Sequence, residues 1–327
     1  MKNIWTSNEM IVIYIIITLS LVIGLVNPTF WGIPTIVTLS RSILITLIFA
    51  ICEMIVIISG GIDVSFPAVA SFCMYGTLKL ALALNINSLL LMFLIAAIFG
   101  TFFGLINAIL ISRKIPPLIA TLGVSSIANG ATLAFLGTNV ISTIPPKVSQ
   151  VSRMYLFSYT TSDGISYSLT ILFILPVIIC LGAFFILKYT MLGRKIYAIG
   201  GDKNAARVAG INVTKIQFIV YMSVGAITGV ASIAYMILMR QADPSVLMGS
   251  EMMVIAAVVM GGTRIMGGHG TVIGTILGVV LIALVQNNLI MLSIPTHYQT
   301  FIVGLIIVIG TSITSLKAKY IANSTKI

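Results

Sequence analysis

Asn107, Thr121, Ser125, Ser126, Asn129, Gln286, Asn287 and Asn288 all fall in or beside long apolar runs of the chain. Amide and hydroxyl side chains offer donors and acceptors together, which suits the handling of a neutral, hydroxyl-rich solute inside a hydrophobic layer. The alternative for each is a hydrogen bond between helices, worth about 0.6 kcal/mol on average in a membrane. Glu53 differs from them, because a charged side chain at the centre of a spanning helix costs about 2.5–3.5 kcal/mol on insertion scales. It must face a bundle interior or a wet cavity, either as a pathway residue or as a protonated, hydrogen-bonded packing residue. Glu53, Asn107, Thr121, Ser125, Asn129, Asn287 and Asn288 form the candidate solute path.

Catalytic chemistry leaves no comparable trace. The sequence has no G-x-x-x-x-G-K-[ST] phosphate loop, so it has no route of that kind for cradling ATP. His269 and His297 stand near opposite ends of apolar segments without a partner at metal-ligand spacing. Cys52, Cys73 and Cys180 lie within apolar runs and read as buried thiols, not as a disulfide or metal framework. The expectation is a chain with no catalytic residue, no metal and no cofactor of its own. The paucity of intramembrane acid also argues against a proton-driven carrier, which needs acid or His relays.

The elements that must position these residues follow from composition. Hydrophobic residues make up 59% of the 327-residue chain, charged residues 8%, and the mean hydropathy is +1.16. A soluble domain carries about 25% charged residues, so a water-soluble fold and a nucleic-acid-binding role for the +11 net charge are both set aside. Apolar runs of spanning length predict an all-α, polytopic transmembrane bundle. About ten spans are expected, at 10–27, 36–58, 64–84, 88–111, 115–136, 168–187, 214–239, 251–266, 271–293 and 298–316; the eighth is short and Gly-rich, so it is broken or buried within the bundle. Lys2 alone precedes the first run and no small-residue cleavage site follows it, which favours a retained span over a leader. With both termini inside, thirteen of the 18 Lys and Arg residues fall on the inner side, the asymmetry of the positive-inside rule. The whole of 1–327 then reads as one transmembrane domain.

Two loops interrupt the apolar pattern. The inner one, about 188–215, carries six of the thirteen interior cations and the run Asn204-Ala205-Ala206-Arg207-Val208-Ala209-Gly210. Its Ala pair and terminal Gly predict a short, smooth helix ended by glycine, able to seat in a groove on a partner; the alternative is an ordinary cytoplasmic loop. The outer one, about 137–167, holds Pro145, Pro146, Tyr155, Tyr159 and Tyr167 and forms either a small cap or a plain surface loop. Gly100-x-x-x-Gly104, Gly225-x-x-x-Gly229 and Gly274-x-x-x-Gly278 predict close helix approach. Gly60-Gly61 and Gly261-Gly262 end two apolar runs and offer corresponding points in two repeated halves, or a coincidence.

Nearly the whole chain resembles the ribose-type sugar permeases of bacterial ABC importers. The resemblance rests on Ile58-Ser-Gly-Gly-Ile-Asp-Val-Ser65, Gly104-Leu-Ile-Asn107, Pro116-Pro-Leu-Ile-Ala-Thr-Leu-Gly123, Gly193-Arg-Lys-Ile-Tyr-Ala-Ile-Gly-Gly201, Ala205-Ala-Arg-Val-Ala-Gly-Ile-Asn-Val213, Ile255-Ala-Ala-Val-Val-Met-Gly-Gly262, Gly267-Gly-His-Gly270 and Gly274-Thr275. It implies a permease subunit in a bacterial plasma membrane, paired with a second copy or paralogue, two ATPase subunits beneath it that hold ATP and Mg, and an external solute-binding protein above. It also implies coupling to the ATPase through Gly193, Arg194, Gly200, Gly201, Asn204, Ala205, Ala206, Arg207 and Gly210. The implied solute is a monosaccharide, ribose or a similar pentose, with a hexose, a nucleoside or an autoinducer-2-like furanose as alternatives. A stand-alone secondary carrier or channel is the alternative from another class. The chain departs from the family's pattern at Asn204, where Glu is older, at Met253, where an acid is common, and at Glu53, where an uncharged polar residue is usual.

Overall fold

A computed structural model describes residues 8–161 and 164–291, together with Tyr298, Phe301, Gly304, Leu305 and Val308. Twelve helices are present among the described residues: α1 (Asn8–Val26), α2 (Ile33–Ile58), α3 (Phe66–Ala83), α4 (Leu89–Ser112), α5 (Pro117–Ala131), α6 (Pro146–Val151), α7 (Ile174–Tyr189), α8 (Met191–Gly201), α9 (Lys203–Val208), α10 (Val213–Met239), α11 (Glu251–Met260) and α12 (Val272–Met291). Many start where local chemistry satisfies free N–H groups. Pro34, Pro67 and Pro117 occupy the first turns of α2, α3 and α5, where a missing N–H is harmless. Asn212 caps α10 by accepting from the Lys215 N–H at 2.9 Å.

Among the described residues seven helices are long and apolar enough to cross a membrane: α1 to α4, α5 with the π-turn at 132–136, α7 with its preceding 3₁₀ turn, and α10. The expected span at 251–266 is corrected. Its helix stops at Met260 after 10 residues, half the length a crossing needs, because Gly261 and Gly262 (φ +95) turn the chain away. α12 follows as expected for 271–293, with Met291 as its last described residue. The span expected at 298–316, His297 and the basic C-terminal tail lie outside the described residues, apart from the isolated positions named above.

The centre of the bundle is the pair α4 and α10, flanked by α2, α3 and α5. Two of the Gly-x-x-x-Gly motifs meet here. A Cβ on Gly100 would land on the backbone of Gly225, one on Gly104 on that of Tyr221, and one on Gly229 on that of Ala96. Only hydrogen side chains permit this approach, and in lipid such backbone packing replaces the missing hydrophobic drive between helices. The third motif does the same for α12: Gly274 abuts Gly261 and Gly278 abuts Ala257 of α11. Outward faces of α1, α4, α5 and α7 carry exposed Leu, Ile and Phe, as lipid contact requires.

The fold is not purely helical. β1 (Tyr155–Thr160) pairs antiparallel with β2 (Ser166–Thr170), Ser158 opposite Ser168, so β2 takes the first residues of the span expected at 168–187. The aromatic and hydroxyl-rich run Tyr155–Thr160 favours strand over helix, and the Thr161 N–H donates to the Ile165 carbonyl at 2.9 Å. This hairpin and α6 form a cap on one end of the bundle. Arg240 Nε donates to Ser152 Oγ at 3.0 Å, Tyr75 Oη to the Asn139 carbonyl at 2.8 Å, and an Ile141–Ala242 bridge completes the seam. α8 and α9 lie at the opposite end, beside the C-terminal end of α2.

Candidate functional site

At that opposite end the structure gathers four glycines from three segments. Gly60 closes α2, Gly200 sits near the end of α8, and Gly267 and Gly268 lie between α11 and α12. The Gly268 N–H donates to the Ile58 carbonyl at 2.9 Å. A Cβ on Gly200 would overlap Ile58 O and Gly268 N, and one on Gly267 would overlap Gly60 Cα and Gly200 O. Gly60 and Gly267 have φ of +81° and +89°, which only glycine adopts without strain. Tyr197 Oη donates to the Gly270 carbonyl at 2.7 Å and adds a second tie. Gly193 packs at the other end of α8 against the Ile186 and Leu187 backbone. Backbone contacts therefore bind α8 to the rest of the bundle.

α9 hangs from this anchor. Asp202 caps it, accepting from the N–H groups of Asn204 at 2.7 Å and Ala205 at 3.1 Å. Its far end closes with Gly210 at φ +80° and an Ile211 N–H to Ala206 carbonyl bond of 2.9 Å, the glycine-ended stop that the sequence indicated. The Ala pair divides: Ala206 is buried against the protein, whereas Asn204, Ala205 and Arg207 are exposed and Val208 is 91% exposed. The free face thus consists of Asn204, Ala205, Arg207 and Val208. Arg194 and Gly201 are also exposed. Lys203, half-buried beside Arg207, is held below the usual lysine range, first by loss of solvent and second by the neighbouring guanidinium.

The polar residues proposed for solute separate into three groups. Glu53, Asn107 and Thr121 converge in the core and are 1%, 2% and 0% exposed. They meet on the non-helical segment Gly61–Ser65 between α2 and α3. Glu53 Oε1 accepts from the Asp63 N–H at 3.2 Å, and Thr121 Oγ1 accepts from the Val64 N–H at 3.3 Å. Asp63 Oδ1 accepts from the Ser65 N–H at 2.7 Å and its hydroxyl at 2.6 Å, and Ser65 Oγ accepts from Asn107 Nδ2 at 2.9 Å. Buried irregular backbone needs such partners. Ser125 and Asn129 follow Thr121 on the same line of α5 but are only half-buried, beside Gly123 and Gly130, against which nothing packs within 4 Å. Asn287 and Asn288 stand apart on α12. Asn287 Nδ2 donates to Ser42 Oγ on α2 at 2.9 Å and Asn288 Nδ2 to the Leu284 carbonyl at 2.7 Å.

Two members of the buried cluster were not foreseen. In the sequence Asp63 stands out only within the motif Ile58–Ser65, and Tyr221 carries no signal of its own. Tyr221 is 2% exposed with its hydroxyl beside Gly61. Met253 takes a contact of 2.9 Å from Gln286 Nε2.

Comparison with known proteins gives a consistent result. The family model described as "branched-chain amino acid transport system / permease component" matches residues 35–310. The ribose import permease protein RbsC of Haemophilus influenzae is 30% identical over 299 residues, covering 90% of this chain and 89% of that protein. RbsC of Bacillus subtilis is 30% identical over 305 residues (92% and 90%). The autoinducer 2 import system permease protein LsrC of Yersinia pseudotuberculosis is 29% identical over 309 residues (94% and 84%). No solved structure matches. With most of its length matched by that model and seven helices able to cross a membrane, the chain belongs to the family of branched-chain amino acid transport system permease components and is a multi-pass membrane permease of the ribose type.

Proposed function

We propose that this chain is the membrane subunit of an ATP-driven importer for a monosaccharide, with ribose or a similar pentose favoured. It works in a bacterial plasma membrane, paired with a second copy or a close paralogue. ATPase subunits, which hold the ATP and Mg, dock on the α8–α9 end, and an external solute-binding protein delivers solute at the capped end. The ribose and autoinducer-2 names of its relatives support a small polyhydroxylated solute, with a furanose, nucleoside or hexose as the other choices. About ten crossings with both termini inside suit the basic character of the α8–α9 end, which carries Arg194, Lys195, Lys203 and Arg207.

The observation that carries the reading is the α8–α9 unit. It presents Ala205, Arg207 and Val208 to solvent while gripping the ends of α2 and the α11–α12 loop through backbone contacts. A partner that moves α9 therefore moves those helix ends. In this scheme the solute passes along the α5 face bearing Ser125 and Asn129, between paired chains, and the sealed Glu53–Asn107–Thr121 cluster holds the bundle together. The test is ATP-dependent ribose uptake in proteoliposomes containing the permease, its ATPase and its binding protein. Val208→Asp and Ala205→Arg leave folding intact and cut uptake at least about tenfold, a loss of about 1.4 kcal/mol of coupling. Normal uptake in both variants, or uptake by the purified permease alone as a stand-alone carrier or channel, overturns the reading.

A further inference from the structure

The buried cluster encloses a small cavity between α3, α4 and α10, lined by Asp63, Ser65, Asn107, Tyr221 and Thr228 together with apolar neighbours. Its space open to the centre of a water-sized sphere is about 10 Å³, room for a single small occupant. Every polar lining residue is at least nine-tenths buried. Among the described residues the Asn107 Oδ1 and Tyr221 Oη atoms have no hydrogen-bond partner; Asn107 spends its amide nitrogen on Ser65, and the Thr228 hydroxyl lies beside the Cys52 thiol. Unsatisfied buried oxygens are costly in a low-dielectric core, and here two of them line one cavity beside a carboxylate.

We propose that this cavity is a binding site for one monovalent cation of sodium size. The donor set is one carboxylate and four neutral oxygens: Asp63, Ser65 Oγ, Asn107 Oδ1, Tyr221 Oη and Thr228 Oγ1. These are hard oxygen ligands, which disfavour soft metals. A single carboxylate in the lining suits one positive charge better than two, since calcium sites take 6–8 oxygens, several of them from carboxylates. No Lys, Arg or His lines the cavity, and Glu53 adds a second carboxyl group behind Asp63 through the Asp63 N–H. An anion has no counter-charge there. The site also sits where helix gives way to non-helical backbone, at Gly61–Ser65, the kind of break at which membrane bundles hold alkali cations. The cation would fix Asp63, at the end of the α2–α3 loop, to α4 and α10. This inference stands on the cavity alone and does not require the transport reading.

The test is equilibrium binding of radioactive sodium to the full chain purified in dodecyl maltoside, together with its Tm in NaCl against choline chloride at constant ionic strength. One saturable sodium per chain is expected, with a Tm that rises with NaCl and not with choline. Tyr221→Phe and Thr228→Val keep the packing shape, remove one oxygen each, and weaken sodium binding about tenfold while Tm in choline stays within a few degrees. Asp63→Asn abolishes binding; should that variant not fold, the two conservative variants decide. Absence of saturable binding, an equal Tm response to choline, an equal response to potassium, or unchanged binding in Tyr221→Phe and Thr228→Val each overturns the proposal, the first two in favour of a water molecule in the cavity.

Discussion

Gly200 and Gly201 are adjacent residues on α8 with opposite surroundings, and replacing each by alanine separates backbone packing from helix propensity. A Cβ on Gly200 would fall inside the contact distance of Ile58 O and lie 2.7 Å from Gly268 N. Neither atom belongs to a flexible side chain, so α8 must move away. Overpacking of this kind costs about 1–3 kcal/mol, and loss of the Gly268 N–H to Ile58 carbonyl bond, 2.9 Å long, adds about 1 kcal/mol. The expected penalty for Gly200→Ala is therefore about 2–4 kcal/mol. Gly201 has nothing within 4 Å of its Cβ position and lies within helical backbone. Alanine there gains about 0.5–1 kcal/mol of helix propensity. The assay is reversible unfolding of the purified chain in mixed micelles, followed by proteolysis between 191 and 210. Gly200→Ala should unfold earlier and become cleavable around α8, with Gly201→Ala matching or exceeding the unsubstituted chain. Equal stability of the two variants would refute the argument that backbone contact fixes α8.

Four further outcomes follow from the same geometry. Gly225→Ala drives a methyl into the Gly100 backbone and should cost about 1–3 kcal/mol in the same unfolding assay, whereas Gly182→Ala on α7, with nothing within 4 Å, should cost nothing. Asp202→Ala removes the acceptor for two N–H groups of α9 and should lower local stability by about 1 kcal/mol, read as faster amide exchange at 203–208. Lys203 is held below its ordinary pKa of 10.5 in the folded state. In the window between that lowered value and the ordinary one the unfolded chain binds more protons, so stability rises with pH there; Lys203→Met should remove this rise from Tm measured across alkaline pH. Met253→Asp restores an acid opposite Gln286, whose Nε2 approaches Met253 Sδ at 2.9 Å, and should be accepted with a change in Tm of a few degrees at most.

The helical plan was legible because lipid leaves so few choices. A spanning backbone must bond to itself, so apolar length located α1 to α4, α10 and α12 within about three residues and found α5 and α7, although the run expected from 168 begins in β2 and α7 itself starts at Ile174. Glycine spacing announced close contact, although not which motif faces which; that Gly100 and Gly104 meet Gly225 and Gly229 across 121 and more residues is a tertiary fact. The short α11 is expected to be irregular but is drawn too long, since Ile265 and Met266 resume apolar residues after the glycine turn. The hairpin at 155–170 was obscured because a single strand pair in a polar loop leaves only a weak alternation. At the buried cluster, Glu53, Asn107 and Thr121 were singled out by polarity within apolar runs. Asp63 was not, because it follows a glycine turn where an acid is unremarkable, and Tyr221 was not, because an aromatic in a span is ordinary. Only the folding of the Gly61–Ser65 segment back over α5 and α10 brings them together.

That segment also connects the two regions that matter most. Gly60, gripped by Gly200 and Gly267, lies three residues before Asp63, and the chain between them is not helical. Side chains can rotate to absorb a displacement, but a contact built from carbonyl oxygens and Cα atoms has no such slack. Under the proposed function, a push on α9 through Val208 would be conveyed by α8 to the end of α2 before any soft contact could dissipate it. At the other end of the segment, Asp63 and Ser65 are held through Asn107 to α4, and α4 is locked to α10 by the paired glycines. The arrangement ties the exposed helix to the rigid central pair through six residues of backbone. It predicts that lengthening this run, by one glycine inserted between Gly61 and Ile62, uncouples α9 from the core: uptake should be lost while the α4–α10 pair keeps its protection in amide exchange. Retained uptake in that insertion variant would show that the force takes another route.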